Sequence, residues 1–368
     1  MSDKRIRALA RCCVMSSDSS SASGLSVGLA RIASYALACL VHLLGPAFLV
    51  VGVYLVFRLT PFAFFLGVVA LGLAWLVRPR VPRFPADVQS LTREEAPNLY
   101  ALLDRIGAGV GAPKTDVVAL DGMVNAAFGT YGWRRRRLVM IGYPLWSILT
   151  PQERIAVLAH EMAHSSNGDA RHGLLVGSAL HSLRELREVT RLDWHEDDGL
   201  ANLFAQALLA LAALPVRVLS FALELLLHRS SQRAEYRADE LGARVAGSRA
   251  MVSALDALTT RVPSAQGFLE PSAVVLGASD LWDKLQATVA EVPDEELERR
   301  RQAAREEKAR VDGTHPPTYL RMDRVRRLPY VEGEVGVAEV EKVQPELEQA
   351  ACRVAETVRD AARSALYH

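Results

Sequence analysis

Cysteine is scarce in this chain and never stands in a C-x-x-C pair: the four are Cys12, Cys13, Cys39 and Cys352. That excludes a disulfide framework and a cysteine-based zinc site, and it suits a reducing compartment. Excess charge is lacking too. With 43 basic against 42 acidic residues there is no electrostatic case for a nucleic-acid partner. Internal repeats are absent, so solenoid and propeller architectures are excluded. A cleaved signal peptide is also a poor fit, because the polar lead and the apolar run behind it both exceed its dimensions. At 368 residues the chain holds one large domain or two small ones.

Apolar residues are what it has, half of the total, unevenly spread. Residues 1–31 are basic and then serine-rich, a pattern that predicts a disordered tail. Ile32 to Phe57 then carries no Asp, Glu, Lys or Arg, and after "RLTP" the same holds for Phe62 to Val77. As helices these runs are roughly 39 Å and roughly 24 Å long, which predicts a membrane hairpin over 32–77 with a short second arm. Lys4, Arg5, Arg7, Arg11 and Arg31 precede it, Arg78, Arg80 and Arg83 follow, and only Arg58 sits in the turn. Both ends, and everything after Arg78, are therefore expected in the cytoplasm.

Beyond the proline-rich exit, the pattern predicts a helix from Pro97 to Ile106. Three short strands follow in "TDVVAL", "MVNAAFGTYG" and "RLVMIG", the last two joined through the "WRRRR" turn. Four adjacent arginines are most simply a solvated turn; near a membrane they are also suited to anionic lipid. Thr150-Pro151-Gln152-Glu153 has the form of a capping box with proline at the first helical position. The charged run 294–310 reads as a solvated helix or linker, and 331–368 as a helical extension.

The capped helix leads into His160-Glu161-x-x-His164. Residues four apart share a helix face, so the two imidazoles can hold one zinc ion per chain, with Glu161 placed as the base that takes a proton from water. A third ligand is needed. Asn167 and Ala170 stand where a metzincin has glycine and histidine, and His172 reads as a surface residue. A glutamate from another helix remains, and ligating histidines usually donate their other N–H to a carboxylate. Glu185, Glu188, Glu196 and Glu224 are followed four residues on by Val189, Leu192, Leu200 and His228; Glu235 is followed by Asp239. Glu235 is the predicted ligand and Asp239 the predicted support. Ala234, Ala238 and Gly242 would let that helix approach the first closely.

"HEMAH", "NGD", "EYRAD" and "THPP" together resemble the HtpX-type and CAAX-prenyl-protease-type membrane zinc metallopeptidases of the gluzincin group, over roughly residues 32–330. The resemblance implies zinc on His160, His164 and Glu235, Glu161 as catalytic base and Asp239 behind a ligand histidine. It also implies an edge strand marked by Asn125 and Ala126 that binds substrate. His315 in "THPP" has two readings: a donor to the oxyanion, or a neighbour of Thr314, which caps the next helix.

His164 and Glu235 must meet at one ion, so the chain between them crosses a bilayer an even number of times. Leu200 to Leu227 is too short for two crossings. It is expected to be a re-entrant or surface hairpin bent at Pro215, or a helix buried in protein with Arg217 and Glu224 turned away from lipid. A two-span arrangement using 174–190 is disfavoured by the polarity of "HSLRELREVTR".

The fold expected is mainly α with a small β-sheet: an N-terminal transmembrane hairpin, then a zincin-like metalloprotease domain over 86–330. The function expected is a membrane-anchored zinc endopeptidase acting on polypeptides, membrane proteins among them. The alternatives are a non-cleaving zinc scaffold of chaperone type and a CAAX-type processing peptidase.

Overall fold

The computed structural model describes residues 22–58, 60–166, 169–189, 200–277, 279–306 and 316–365. Helix α1 (Ala22–Val56) begins earlier than expected, so residues 22–31 are its opening turns rather than part of a tail. Its stretch Leu29–Val56 is the one helix among the described residues long and apolar enough to cross a bilayer. Thr60 caps α2 (Pro61–Leu76), its hydroxyl accepting from the Ala63 N–H at 3.3 Å. The two arms meet where Gly52 faces Gly67. A Cβ on Gly67 would lie 2.9 Å from the Gly52 carbonyl oxygen, so only glycine permits that approach.

The chain continues through β1 (Gln89–Leu91), α3 (Pro97–Val110), β2 (Val117–Asp121), β3 (Ala126–Tyr131), β4 (Arg136–Gly142), α4 (Tyr143–Ile148) and α5 (Pro151–Ser166). Then come α6 (Asp169–Val189), α7 (Leu200–Ala246), α8 (Ser248–Thr260), α9 (Val262–Val275), α10 (Leu281–Ala290) and α11 (Asp294–Glu306). The last helices are α12 (Thr318–Arg327), α13 (Val337–Glu341) and α14 (Gln344–Ala365). The result is mostly helical with one four-stranded sheet, ordered β1-β2-β4-β3. β3 is an edge strand, antiparallel to β4 with Ala126 opposite Ile141.

The chain divides into two compact units. The first takes residues up to 80 and 171–231, with 310–314; the second takes 81–170, 232–309 and 315 onward. In the first, Ala38 and Val41 of α1 pack with Val176, Ala179 and Leu183 of α6 and Leu223 of α7. α6 thus packs against the apolar helices without itself being apolar enough to count as a candidate membrane span. Its polarity lies on the other face, where Arg184, Arg187 and Glu188 are exposed.

α7 corrects a second expectation. It runs unbroken through Pro215, so no hairpin turns there. A proline removes one helical hydrogen bond and kinks a helix, but it does not reverse the chain. Arg217, expected to turn toward protein or the interface rather than lipid, is exposed, and Glu224 is half-buried.

In the second unit, α3, α5, α8 and α14 share one core with the inner face of the sheet. The capping box forms as read: Thr150 N–H donates to Glu153 Oε2 at 2.8 Å and Glu153 N–H to the Thr150 hydroxyl at 3.4 Å. The charged α11 is docked rather than merely solvated. Arg301 grips Asp256 of α8 with two bonds of 2.8 Å.

Candidate metal centre

Two helices of the second unit make the centre. α5 contributes His160 and His164, one turn apart, and the far half of α7 contributes Glu235 and Asp239, also one turn apart. Gly242 lies where they meet. A Cβ there would stand 3.5 Å from the Ala156 carbonyl and 3.6 Å from the His160 nitrogen, and Ala238 beside it is fully buried.

The three predicted ligands converge. His160 Nε2 is 3.3 Å from His164 Nε2 and 3.5 Å from Glu235 Oε2, and His164 Nε2 is 3.4 Å from Glu235 Oε1. A tetrahedral ion with nitrogen and oxygen ligands at about 2.0–2.1 Å needs donors separated by roughly 3.3–3.4 Å. Each pairwise separation is close to that spacing, the two histidines facing different oxygens of the Glu235 carboxylate. His160, Glu235 and Asp239 are buried, while His164 is half-exposed, which leaves one side of the group open.

Behind the donors, His160 Nδ1–H donates to Asp239 Oδ1 at 2.9 Å, which turns the Nε2 lone pair toward the group. Burial pulls the His160 pKa down, but the hydrogen bonds to Asp239 and Glu235 prevail and raise it to about 9 in the metal-free protein. The site draws positive charge to itself.

Sequence reasoning missed Arg321 of α12. Only 4% exposed, it donates from Nε and Nη2 to the two Asp239 oxygens at 2.8 and 2.6 Å, and Nη1 lies 3.5 Å from Glu235. Nη2 is 3.3 Å from both nitrogens of His160 and so is committed to neither. Burial works to raise the Asp239 pKa, but Arg321 and His160 overcome it and hold the carboxyl below its ordinary value. The available signal was Arg321 four residues before the apolar Val325, and so on the same helix face.

Glu161 is half-buried, and its charge acts on both His160 and Arg321. With both histidines neutral, as ligation requires, Glu161, Glu235 and Asp239 against one guanidinium leave two negative charges. A divalent cation balances them. The donor set, its spacing and its charge all fit such an ion.

Asn125 and Ala126 lie at the start of the edge strand. The Asn125 carbonyl accepts from Gly142 N–H at 2.8 Å, so its main chain is turned into the sheet. By the alternation of antiparallel strands, Ala126, Phe128 and Thr130 direct theirs to the open edge. His315 and the side chain of His172 lie outside the described residues.

The model of peptidase family M48 matches residues 93–328, a span that holds every donor above. The chain belongs to this family. M48 peptidases are metalloproteases, so the likeness read from the motifs holds at family level. Among curated relatives, a protease HtpX homolog of Pyrobaculum calidifontis is 34% identical over 43% of this chain and 46% of its own length. Protease HtpX of Chromohalobacter salexigens is 31% identical over 42% and 54%, and that of Pseudomonas fluorescens 30% over 46% and 58%. The aligned part thus spans about half the length of these relatives.

Proposed function

We propose that this chain is a membrane-anchored zinc endopeptidase that hydrolyses peptide bonds in polypeptides, membrane proteins included, on the cytoplasmic side of the bilayer. One observation carries the reading: donor atoms of His160, His164 and Glu235 stand 3.3–3.5 Å apart with Glu161 beside them. Metal binding alone would not need that extra carboxylate. The anchoring rests on the apolar α1 and on the arginines that flank the α1–α2 hairpin.

When bound, zinc supplies Lewis acidity, polarising a carbonyl and bringing the pKa of water near 7. The protein's own part is positional. The open edge of β3, at Ala126, Phe128 and Thr130, holds an extended substrate by main-chain hydrogen bonds. Glu161 accepts a proton from the attacking water and passes it to the leaving nitrogen as the C–N bond breaks. Asp239, clamped by Arg321, keeps the His160 ring in its ligating orientation. His315 is assigned as a donor to the developing oxyanion.

Glu161→Gln tests the assignment. It is expected to retain its metal and lose casein hydrolysis by roughly 10²–10⁴-fold; parent-like hydrolysis would refute the reading. Metal content of Glu235→Ala against Glu188→Ala tests the third ligand, with loss expected only in the former.

A further inference from the structure

The geometry points to the β3–β4 turn as a second membrane contact: an interfacial element that seats Trp133 among anionic phospholipid headgroups held by Arg134, Arg135 and Arg136. This rests on the membrane anchoring proposed above and adds to it a lipid preference.

Trp133 is 90% exposed at the tip of the hairpin, and the three arginines after it are exposed as well. A bare indole in water is unfavourable, whereas tryptophan is enriched at the level of lipid headgroups. Arg137 differs from its neighbours. It is bound to Asp116 by bonds of 2.8 and 3.0 Å, which occupies that carboxylate. Arg134 and Arg135 have no ion-pair partner among the described residues. Arg136 lies over the Tyr131 ring at 5.9 Å. Asp116, already bonded to Arg137, is the acid whose charge reaches Arg136, and the turn keeps a net positive charge among the described residues.

A second observation ties it to the juxtamembrane chain. Gly132 N–H donates to the Pro82 carbonyl at 2.8 Å, and the rings of Tyr131 and Phe84 meet edge-on at 5.0 Å. Gly132 takes φ +70, which lets the strand turn into that bond. Arg83, between the two anchoring residues, is exposed and adds a fourth cation. Pro82 follows Val77, the C-cap of α2, by five residues, and five residues reach at most about 18 Å. Trp75 and Arg78 mark the end of the hairpin in the same chemistry, with the guanidinium 3.7 Å from the indole. An acidic peptide is the rival ligand. The turn is disfavoured for that role because it lies roughly 17 Å along β3 from Ala126, where substrate is expected to bind.

The test uses the full chain, reconstituted in vesicles of phosphatidylcholine with and without phosphatidylglycerol, in each case with brominated acyl chains that quench tryptophan on contact. Five tryptophans are present, so the readout is the difference between parent and Trp133→Phe. Quenching of that difference signal is expected in the anionic vesicles. It should weaken in high salt, and by roughly fivefold in contact occupancy for each of Arg134→Glu, Arg135→Glu and Arg136→Glu. Vesicles that float with the chain while the Trp133 signal stays unquenched would overturn the lipid contact and leave the anchoring intact. So would charge-reversed variants that keep full quenching but lose cleavage of acidic peptides in detergent. A chain that fails to float with vesicles would sink the anchoring itself, and this inference with it.

Discussion

Arg321 is held by Asp239 through two nitrogens in a place with almost no water, and neither charge can be removed without stranding the other. Breaking such a buried pair costs about 3–5 kcal/mol. Arg321→Met is therefore expected to destabilise the chelator-treated chain by that amount in urea unfolding. Arg321→Met with Asp239→Leu should cost less than the two single changes together. Asp239→Ala leaves His160 Nδ1 without its acceptor and should weaken metal affinity about 10–100-fold in competition with a chromophoric chelator. Asp121, at the end of β2, has the opposite character. Burial raises its pKa against the pull of the Met123 N–H, its hydrogen-bond donor at 3.0 Å. A carboxyl whose folded pKa is raised favours folding below its unfolded value of 3.8 and loses that contribution as pH climbs through the folded value. Asp121→Asn keeps an acceptor for Met123 and sheds the buried charge. Its melting temperature should exceed the parent's at neutral pH, and the gap should close below pH 3.8.

Between elements, the approach of α7 to α5 decides whether Glu235 reaches the histidines, and Gly242 is where it can be tested. A methyl group there would meet Met251 Sδ at 3.0 Å, a soft side-chain end that can move. Gly242→Ala should thus be tolerated, helped by about 1 kcal/mol of helix propensity. Gly242→Val adds branches toward the Ala156 carbonyl and should separate the helices, with metal content dropping in atomic absorption while helicity persists. Parent-like metal content in the valine variant would mean that the helices do not depend on this contact. This packing was readable from small residues at 234, 238 and 242 because it is periodic and local, as were the Thr150 capping box and the three main strands. What escaped had no local signal. β1 is three residues long and exists by pairing with β2. The bidentate grip of Arg321 on Asp239 joins positions 82 apart in sequence. α7 passes through Pro215, with Ala213 and Leu223 on either side buried, a continuity that local propensity does not foretell.

At the scale of the whole chain, the apolar helices and the metal donors belong to different units, although the polypeptide passes from the second to the first after Ala170 and returns at Gln232. Metal removal should therefore act unevenly. It takes a divalent cation away from three carboxylates that Arg321 and a reprotonated His160 only partly balance, and forfeits the binding energy of the ion, about 4 kcal/mol at a thousandfold excess over Kd. The core of α1, α6 and α7 contains none of those groups. Limited proteolysis can read this peptide by peptide, with Glu161→Gln protein in vesicles so that self-cleavage does not intrude. Chelator is expected to speed cleavage within 86–166 and 232–306, with zinc restoring protection, while peptides from α1 and α2 release at an unchanged rate. Equal acceleration throughout would mean that the ion stabilises both units together. No acceleration anywhere would mean that the carboxylates around His160 are satisfied without a cation, and the charge argument for the centre would fail.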